Sequence, residues 1–214
     1  MTRTTARPKA NETRPHSKPR TPARSGGANR VKIIAGKFRG RWIEFPDVEG
    51  LRPTGNRIRE TLFNWLGQRM DGMRCLDLFA GSGALGFEAA SRGAAEVVMV
   101  EYAPAAIASL KANRERLGAS MCAIERGDAL LFMGNSHGHF DVIFADPPFA
   151  SGFMDRVLEK AGARLTETGL LYCEWGAPID QLLANPVCTD WEIVRQGKAG
   201  VVHFALLKRR PTLS

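Results

Sequence analysis

The sequence has no apolar run long enough to cross a bilayer. Stretches such as Val97–Val100 and Val142–Ala145 fall far short of the ~20 residues a spanning helix needs, so no membrane association is expected. Cysteine is scarce, with 4 among 214 residues and no C-x-x-C pair. That usage argues against a disulfide scaffold or a zinc ribbon and points to a reducing, cytoplasmic setting. His137-Gly138-His139 has no third ligand nearby and reads as a polar loop, so no metal is expected. Aromatics make up only 8% of the chain, and Trp42, Trp65, Trp175 and Trp191 are too dispersed to form a stacking platform. They read as core or rim.

Acids are nearly missing from the N-terminus. Residues 1–30 hold eight Lys/Arg and a single acid, Glu12, within a net charge of +8 for the whole chain. The remaining 22 bases and 21 acids leave residues 31–214 at only +1. With four Pro and almost no large apolar residue, residues 1–30 cannot bury enough surface to offset their ordering entropy, and a disordered basic tail is expected. Such a tail suits a polyanion-binding arm for RNA, and equally a solubilising extension. It lacks the apolar core of a secretory signal.

From Val31 the pattern is regular. Val31–Ala35 and Arg41–Phe45 flank Gly36-Lys37-Phe38-Arg39-Gly40, which predicts a β-hairpin with a basic tip. Asn56 is placed to cap a helix whose apolar face is Ile58, Leu62, Trp65 and Leu66, with Arg57 and Arg59 pointing elsewhere. After Gly72, short apolar runs alternate with helical segments. The runs are Cys75–Phe79, Val97–Val100, Met121–Glu125, Phe140–Ala145 and Leu170–Glu174, followed by a closely linked pair, Trp191–Arg195 and Val201–Leu207. Strands apolar on both faces and separated by helices imply a parallel sheet covered on both sides. The closing pair has no room for a crossover, so part of it must run antiparallel. The expectation is an α/β, Rossmann-like, doubly wound sheet of seven strands, mostly parallel, with a C-terminal antiparallel hairpin. Residues 31–71 would form an N-terminal hairpin and helix, and 72–210 the catalytic core of one domain spanning 31–214.

Gly81, Gly83 and Gly86 satisfy G-x-G-x-x-G where the first core strand turns into its helix, and Glu101 ends the next strand. Glycines allow the sharp turn and close approach of an adenosine-containing ligand, and the acid is placed for its ribose. Alone, this pattern fits a nicotinamide or an S-adenosylmethionine (SAM) enzyme. Asp77 favours the second, because a carboxylate there repels a pyrophosphate but attracts the ammonium of a methionine moiety, and a buried acid without a partner is costly.

Asp146-Pro147-Pro148-Phe149 follows the apolar run Phe140–Ala145, at the edge where ligands of open α/β sheets sit. Two prolines lock φ and remove two N–H donors. They leave a rigid display of acceptors, the Asp146 carboxylate and the Pro147 carbonyl, with the Phe149 ring beyond. An exocyclic nucleobase amine is a poor nucleophile, and two acceptors on its hydrogens turn its lone pair toward an electrophile. The aromatic ring stacks on the unstacked base. Aligning the amine with an activated methyl is then chiefly positional catalysis.

Four blocks together resemble the bacterial 16S rRNA guanine-N2-methyltransferase family that modifies guanosine 966. They are Ile33-Ile34-Ala35-Gly36 with Arg39-Gly40-Arg41, Leu51-Arg52-Pro53-Thr54 running into Arg57–Leu66, Leu76–Gly83, and Asp146–Phe149. The second block is the most diagnostic, since generic methyltransferases lack it. The resemblance covers about residues 31–208 and implies a SAM-dependent class I fold. It also implies methylation of guanine N2 in 16S rRNA packaged in the small ribosomal subunit; separately, a monomer is expected. By position, it assigns Asp77, Phe79, Gly81, Gly83 and Glu101 to the cofactor, with Asp128 and Ala129 beside adenine. Asp146, Pro147 and Phe149 would hold the target guanine. Lys37, Arg39, Arg41, Arg52, Arg57 and Arg59 would face RNA. Two departures are Gly55-Asn56 in place of Thr-Asp, and Ala150-Ser151 where some relatives carry bases. Read from residues alone, an adenine-N6 or other nucleobase amino-methyltransferase, on DNA or RNA, and a non-catalytic RNA-binding assembly factor remain alternatives.

Overall fold

The alternation of apolar runs and helices folds as one sheet in the computed structural model, which describes residues 29–47, 54–135, 138–147 and 152–210. The expected tail up to residue 28, Arg52, His137, Pro148 and Phe149 lie outside the described residues. The chain opens with an antiparallel hairpin of β1 (Asn29–Lys32) and β2 (Trp42–Phe45). The first strand thus begins two residues inside the segment read as tail. Helix α1 (Asn56–Trp65) follows. Gly55, not Asn56, precedes its first turn, and the Asn56 amide oxygen accepts instead from Arg59 Nη2 at 2.7 Å. The expected asparagine cap is therefore not formed.

The core alternates β3 (Arg74–Asp77), α2 (Ala84–Ser91), β4 (Glu96–Glu101), α3 (Pro104–Leu117), β5 (Cys122–Arg126), α4 (Ala129–Gly134), β6 (Phe140–Ala145) and α5 (Phe153–Ala161). It closes with β7 (Leu165–Trp175), α6 (Ile179–Leu183), β8 (Trp191–Ala199) and β9 (Val202–Arg209). The strand order is β5-β4-β3-β6-β7-β9-β8, parallel from β5 to β7, with β9 antiparallel to both neighbours. This is the expected doubly wound architecture with its C-terminal hairpin. From β3 the chain winds outward through β4 and β5, then returns to place β6 on the other side of β3. The order therefore reverses between β3 and β6, and such a switch point opens a crevice at the carboxyl ends of the strands.

Each face of the sheet carries its own core. One includes Leu76, Val98, Ile143, Leu171 and Leu207, covered by α4, α5 and α6. The other includes Cys75, Met99, Phe144 and Tyr172, covered by α2, α3, α1 and the hairpin. The four cysteines are free and buried. Among the described residues no helix is long and apolar enough to cross a membrane.

The hairpin is locked to the core at two helix ends. At its tip the backbone of Lys37 donates to the Ser91 carbonyl, and that of Phe38 donates to Ser91 Oγ. Phe38 itself is buried. Along β2, the buried Asn113 side chain accepts from the Glu44 amide and donates to its carbonyl, in the manner of an added strand. Arg41 donates to the carbonyls of Leu117 and Arg116, satisfying the open C-terminus of α3.

A buried Arg-Glu-Arg cluster joins hairpin, α1 and α2. Glu88 accepts from Arg59 and Arg92, and also from the backbone of Ile34 and Ala35. Arg59 was expected on an RNA-facing surface. It is instead 0% exposed, and burial lowers its pKa. Its charge is held for packing, because a guanidinium so far from water needs Glu88, the Lys32 carbonyl and the Asn56 amide oxygen that accept from it.

Candidate active site

The glycine loop lies between β3 and α2. Gly83 precedes α2 in the left-handed region (φ 79°), and a Cβ there would meet Phe87 and Leu110 side chains at 2.6 Å. A Cβ on Gly86 would reach the Met99 sulfur at 2.7 Å. The third glycine thus lets α2 lie close against the sheet, and its amide donates to Asp77 Oδ2 at 3.0 Å. Asp77 ends β3, the strand at the centre of the switch point. It is 3% exposed, and burial pushes its carboxyl up to about 7 against the pull of the Gly86 and Phe79 amides, with Glu101 adding repulsion. Phe79 is half-buried and meets Phe153 edge-on.

Glu101, at the end of β4, is half-buried and spans two loops. Its Oε2 accepts from the Gly81 amide at 2.8 Å, and its Oε1 accepts from the amides of Tyr102 and Ala103 at the start of α3. Asp128 is exposed at the next strand end and caps α4, its Oδ1 accepting from the amides of Leu130 and Leu131. The buried Ala129 follows it. The Gly127 amide donates to the Glu101 carbonyl, tying these two strand ends together. Asp77, Phe79, Gly81, Gly83, Glu101, Asp128 and Ala129 therefore follow the carboxyl ends of three adjacent strands, β3, β4 and β5.

Asp146 and the buried Pro147 come directly after β6, beside β3. Asp146 is partly exposed, and its Oδ2 accepts from the Thr54 hydroxyl at 3.4 Å. Thr54 belongs to the block Leu51-Arg52-Pro53-Thr54, so the segment leading into α1 reaches the proposed chemical site. Desolvation, then the nearby carboxylates of Glu174 and Asp77, raise Asp146 well above the ordinary carboxylate range, while Thr54 opposes this.

Glu174 was not singled out in the sequence. It is 4% exposed near the end of β7, with its Oε1 accepting from the Tyr172 hydroxyl at 2.8 Å. Burial raises its proton affinity, while the Tyr172 and Thr54 hydroxyls lower it. The only sequence signal was that an apolar run ended in an acid. Asp77, Asp146 and Glu174 lie at the ends of adjacent strands β3, β6 and β7, and no salt bridge to any of them occurs among the described residues. Buried or half-buried carboxylates without a cationic partner among the described residues favour an incoming cation or a set of strong donors. That set of acceptors fits the cationic methionine end of SAM and an amine beside it. It does not fit the pyrophosphate of a dinucleotide.

Of the residues expected to face RNA, Lys37, Arg39 and Arg57 are exposed. Arg41 is exposed but engaged with α3, and Arg59 is buried. Trp42 is 45% exposed, on the rim, with the Arg30 and Lys32 cations over its ring at 5.4 and 5.5 Å. Among the described residues no cluster of His, Cys, Asp or Glu is arranged to hold a metal ion.

Comparison with known proteins agrees with this architecture. Residues 31–208 match the family model described as conserved hypothetical protein 95. The chain is 36% identical over 185 residues to the ribosomal RNA small subunit methyltransferase D of Escherichia coli, covering 86% of this chain and 92% of that protein. It is 37% identical to the Haemophilus influenzae protein of the same name, covering 82% and 92% respectively. A solved structure of a putative methyltransferase from Escherichia coli superposes with a TM-score of 0.73 at 36% identity, covering 85% of this chain and 98% of that one. The chain therefore belongs to the conserved hypothetical protein 95 family, where it stands with the ribosomal RNA small subunit methyltransferase D proteins.

Proposed function

We propose that the protein transfers a methyl group from SAM to the exocyclic N2 amine of a guanosine in 16S rRNA, of the guanosine 966 type, within the small ribosomal subunit in the cytoplasm. The observation that carries the reading is the position of Asp146-Pro147 directly after β6, one strand from the buried Asp77, which has no ion pair among the described residues.

SAM, when bound, supplies a methyl already activated on a sulfonium. The Asp77 carboxylate attracts the methionine ammonium, and Gly81 and Gly83 let the chain approach it without a Cβ. Glu101 takes the ribose hydroxyls, while Asp128 and Ala129 border the adenine. Across the switch point, the Asp146 carboxylate and the Pro147 carbonyl accept the two N2 hydrogens, which orients the nitrogen lone pair toward the donor. Asp146 then takes the proton that N2 sheds. A carboxylate whose pKa is raised by burial and neighbouring acids suits that task better than a solvated one. Phe149 stacks on the base. The exposed Lys37, Arg39 and Arg57, with Arg52, meet RNA phosphates and add a salt-dependent affinity.

The test is to incubate the protein with methyl-labelled SAM and small subunits from cells lacking the activity, then digest the RNA to nucleosides. Label is expected in N2-methylguanosine. Label in N6-methyladenosine, or none, overturns the reading.

A further inference from the structure

An exocyclic amine alone does not distinguish guanine from adenine. One contact that does so reads the ring nitrogen next to it. In guanine that nitrogen, N1, carries a hydrogen beside the N2 amine, so the edge offers adjacent donors. In adenine the nitrogen next to the amine is a bare acceptor.

Asp146 has a second carboxylate for a neighbour. Strands β6 and β7 pair in parallel with Phe144 opposite Tyr172 and Ala145 opposite Cys173. The next step along both strands places Asp146 beside Glu174. Side chains alternate along a strand, so both acids follow Phe144 and Tyr172, whose rings meet edge-on in one core. The Thr54 hydroxyl that donates to Asp146 also lies within reach of Glu174. The Tyr172 hydroxyl holds Glu174 Oε1, fixing the side chain and leaving Oε2 as an acceptor. Two acceptors side by side match two adjacent donors. The same pair sets a carboxylate against the lone pair of adenine N1.

We infer that Glu174 is the residue that selects guanine, its Oε2 accepting N1–H of the target base while Asp146 and the Pro147 carbonyl hold the N2 amine. This rests on the reading of the site as an N2-methyltransferase. It makes Glu174 a specificity-determining residue and Tyr172 the positioning residue behind it. A site built to pair with a substrate hydrogen rejects the analogue lacking it, because its own buried group is then left unmatched.

The experiment compares small subunits reconstituted with guanosine or with 2-aminopurine at the target nucleotide. 2-Aminopurine keeps the amine on C2 but has no hydrogen on N1. The wild-type protein should prefer guanosine in kcat/KM by roughly 10–100-fold. Glu174→Gln keeps an oxygen for Tyr172 and offers N–H to a bare N1. It should lose activity on guanosine and hold or gain it on 2-aminopurine, so that the preference collapses toward unity. The O6 group that 2-aminopurine also lacks is untouched by the substitution, so the change in preference isolates N1. Equal losses on both substrates, or no loss, overturn the inference by reducing Glu174 to a structural role. Should Glu174→Gln fail to fold, Tyr172→Phe serves instead: it should lower the preference while leaving SAM affinity intact, and an unchanged preference overturns the inference. A wild-type protein inactive on guanosine would instead overturn the N2 reading itself.

Discussion

Replacing Asp77 by asparagine should stabilise the ligand-free protein while weakening its hold on SAM. Asp77 is 3% exposed, and burial pushes its carboxyl from 3.8 up to about 7. In the unfolded chain the proton leaves near 3.8, whereas in the folded protein it stays until about pH 7. Between those values folding requires the chain to keep or regain a proton. The cost is therefore absent below pH 3.8, grows as pH rises, and levels off above about 7. At roughly 1.4 kcal/mol per tenfold change, the plateau is on the order of 4 kcal/mol. Asparagine keeps an oxygen for the Gly86 amide, which now donates to Asp77 at 3.0 Å, and carries no charge to desolvate. Urea denaturation should find the variant close to wild type near pH 4 and more stable by on the order of 2–4 kcal/mol at pH 8. Isothermal titration should show its SAM affinity reduced by about tenfold or more, from the lost charge-assisted contact. A variant less stable than wild type at pH 8, or a gap that does not widen with pH, would refute the reasoning.

Other expectations follow from the same geometry. Glu88→Gln leaves two buried guanidinium groups facing a neutral amide, and chemical denaturation should show a loss of about 3–5 kcal/mol; a loss under 1 kcal/mol would mean that the cluster does not hold hairpin and core together. The double substitution Lys37→Ala and Arg39→Ala should flatten the dependence of log affinity on log salt for small-subunit RNA by about 1.4–1.8, with thermal stability unchanged, since both side chains are exposed. An unchanged slope would remove the hairpin tip from the RNA surface.

Much of this was legible in the amino-acid order, because the sheet is written in local patterns. Alternating apolar runs, the glycines after Asp77 and the prolines after Asp146 each encode local backbone geometry. Their meeting at one edge follows from the right-handed crossovers of parallel strands. What could not be read locally depends on partners far away in the chain. Arg59 lies beside the apolar stripe of α1, and its sequence neighbours gave no sign of Glu88, 29 residues on. Glu174 becomes a neighbour of Asp146 only once β6 and β7 are set in register. Arg41 reads as a surface base until α3 brings its C-terminal carbonyls alongside. Strand β7 begins at Leu165, but Thr166-Glu167-Thr168-Gly169 interrupts its apolar pattern, and the register shifts between Phe140 and Val142 opposite. Only Leu170–Glu174 therefore carried the signature of a strand.

The claim that Asp146 acts on the amine rather than on the donor is tested by single-turnover methyl transfer with Asp146→Ala, paired with its SAM dissociation constant. The account predicts a rate lower by about 10²–10⁴-fold with SAM binding close to that of wild type. Transfer at nearly the wild-type rate, or a collapse of SAM binding that accounts for the loss, would contradict it.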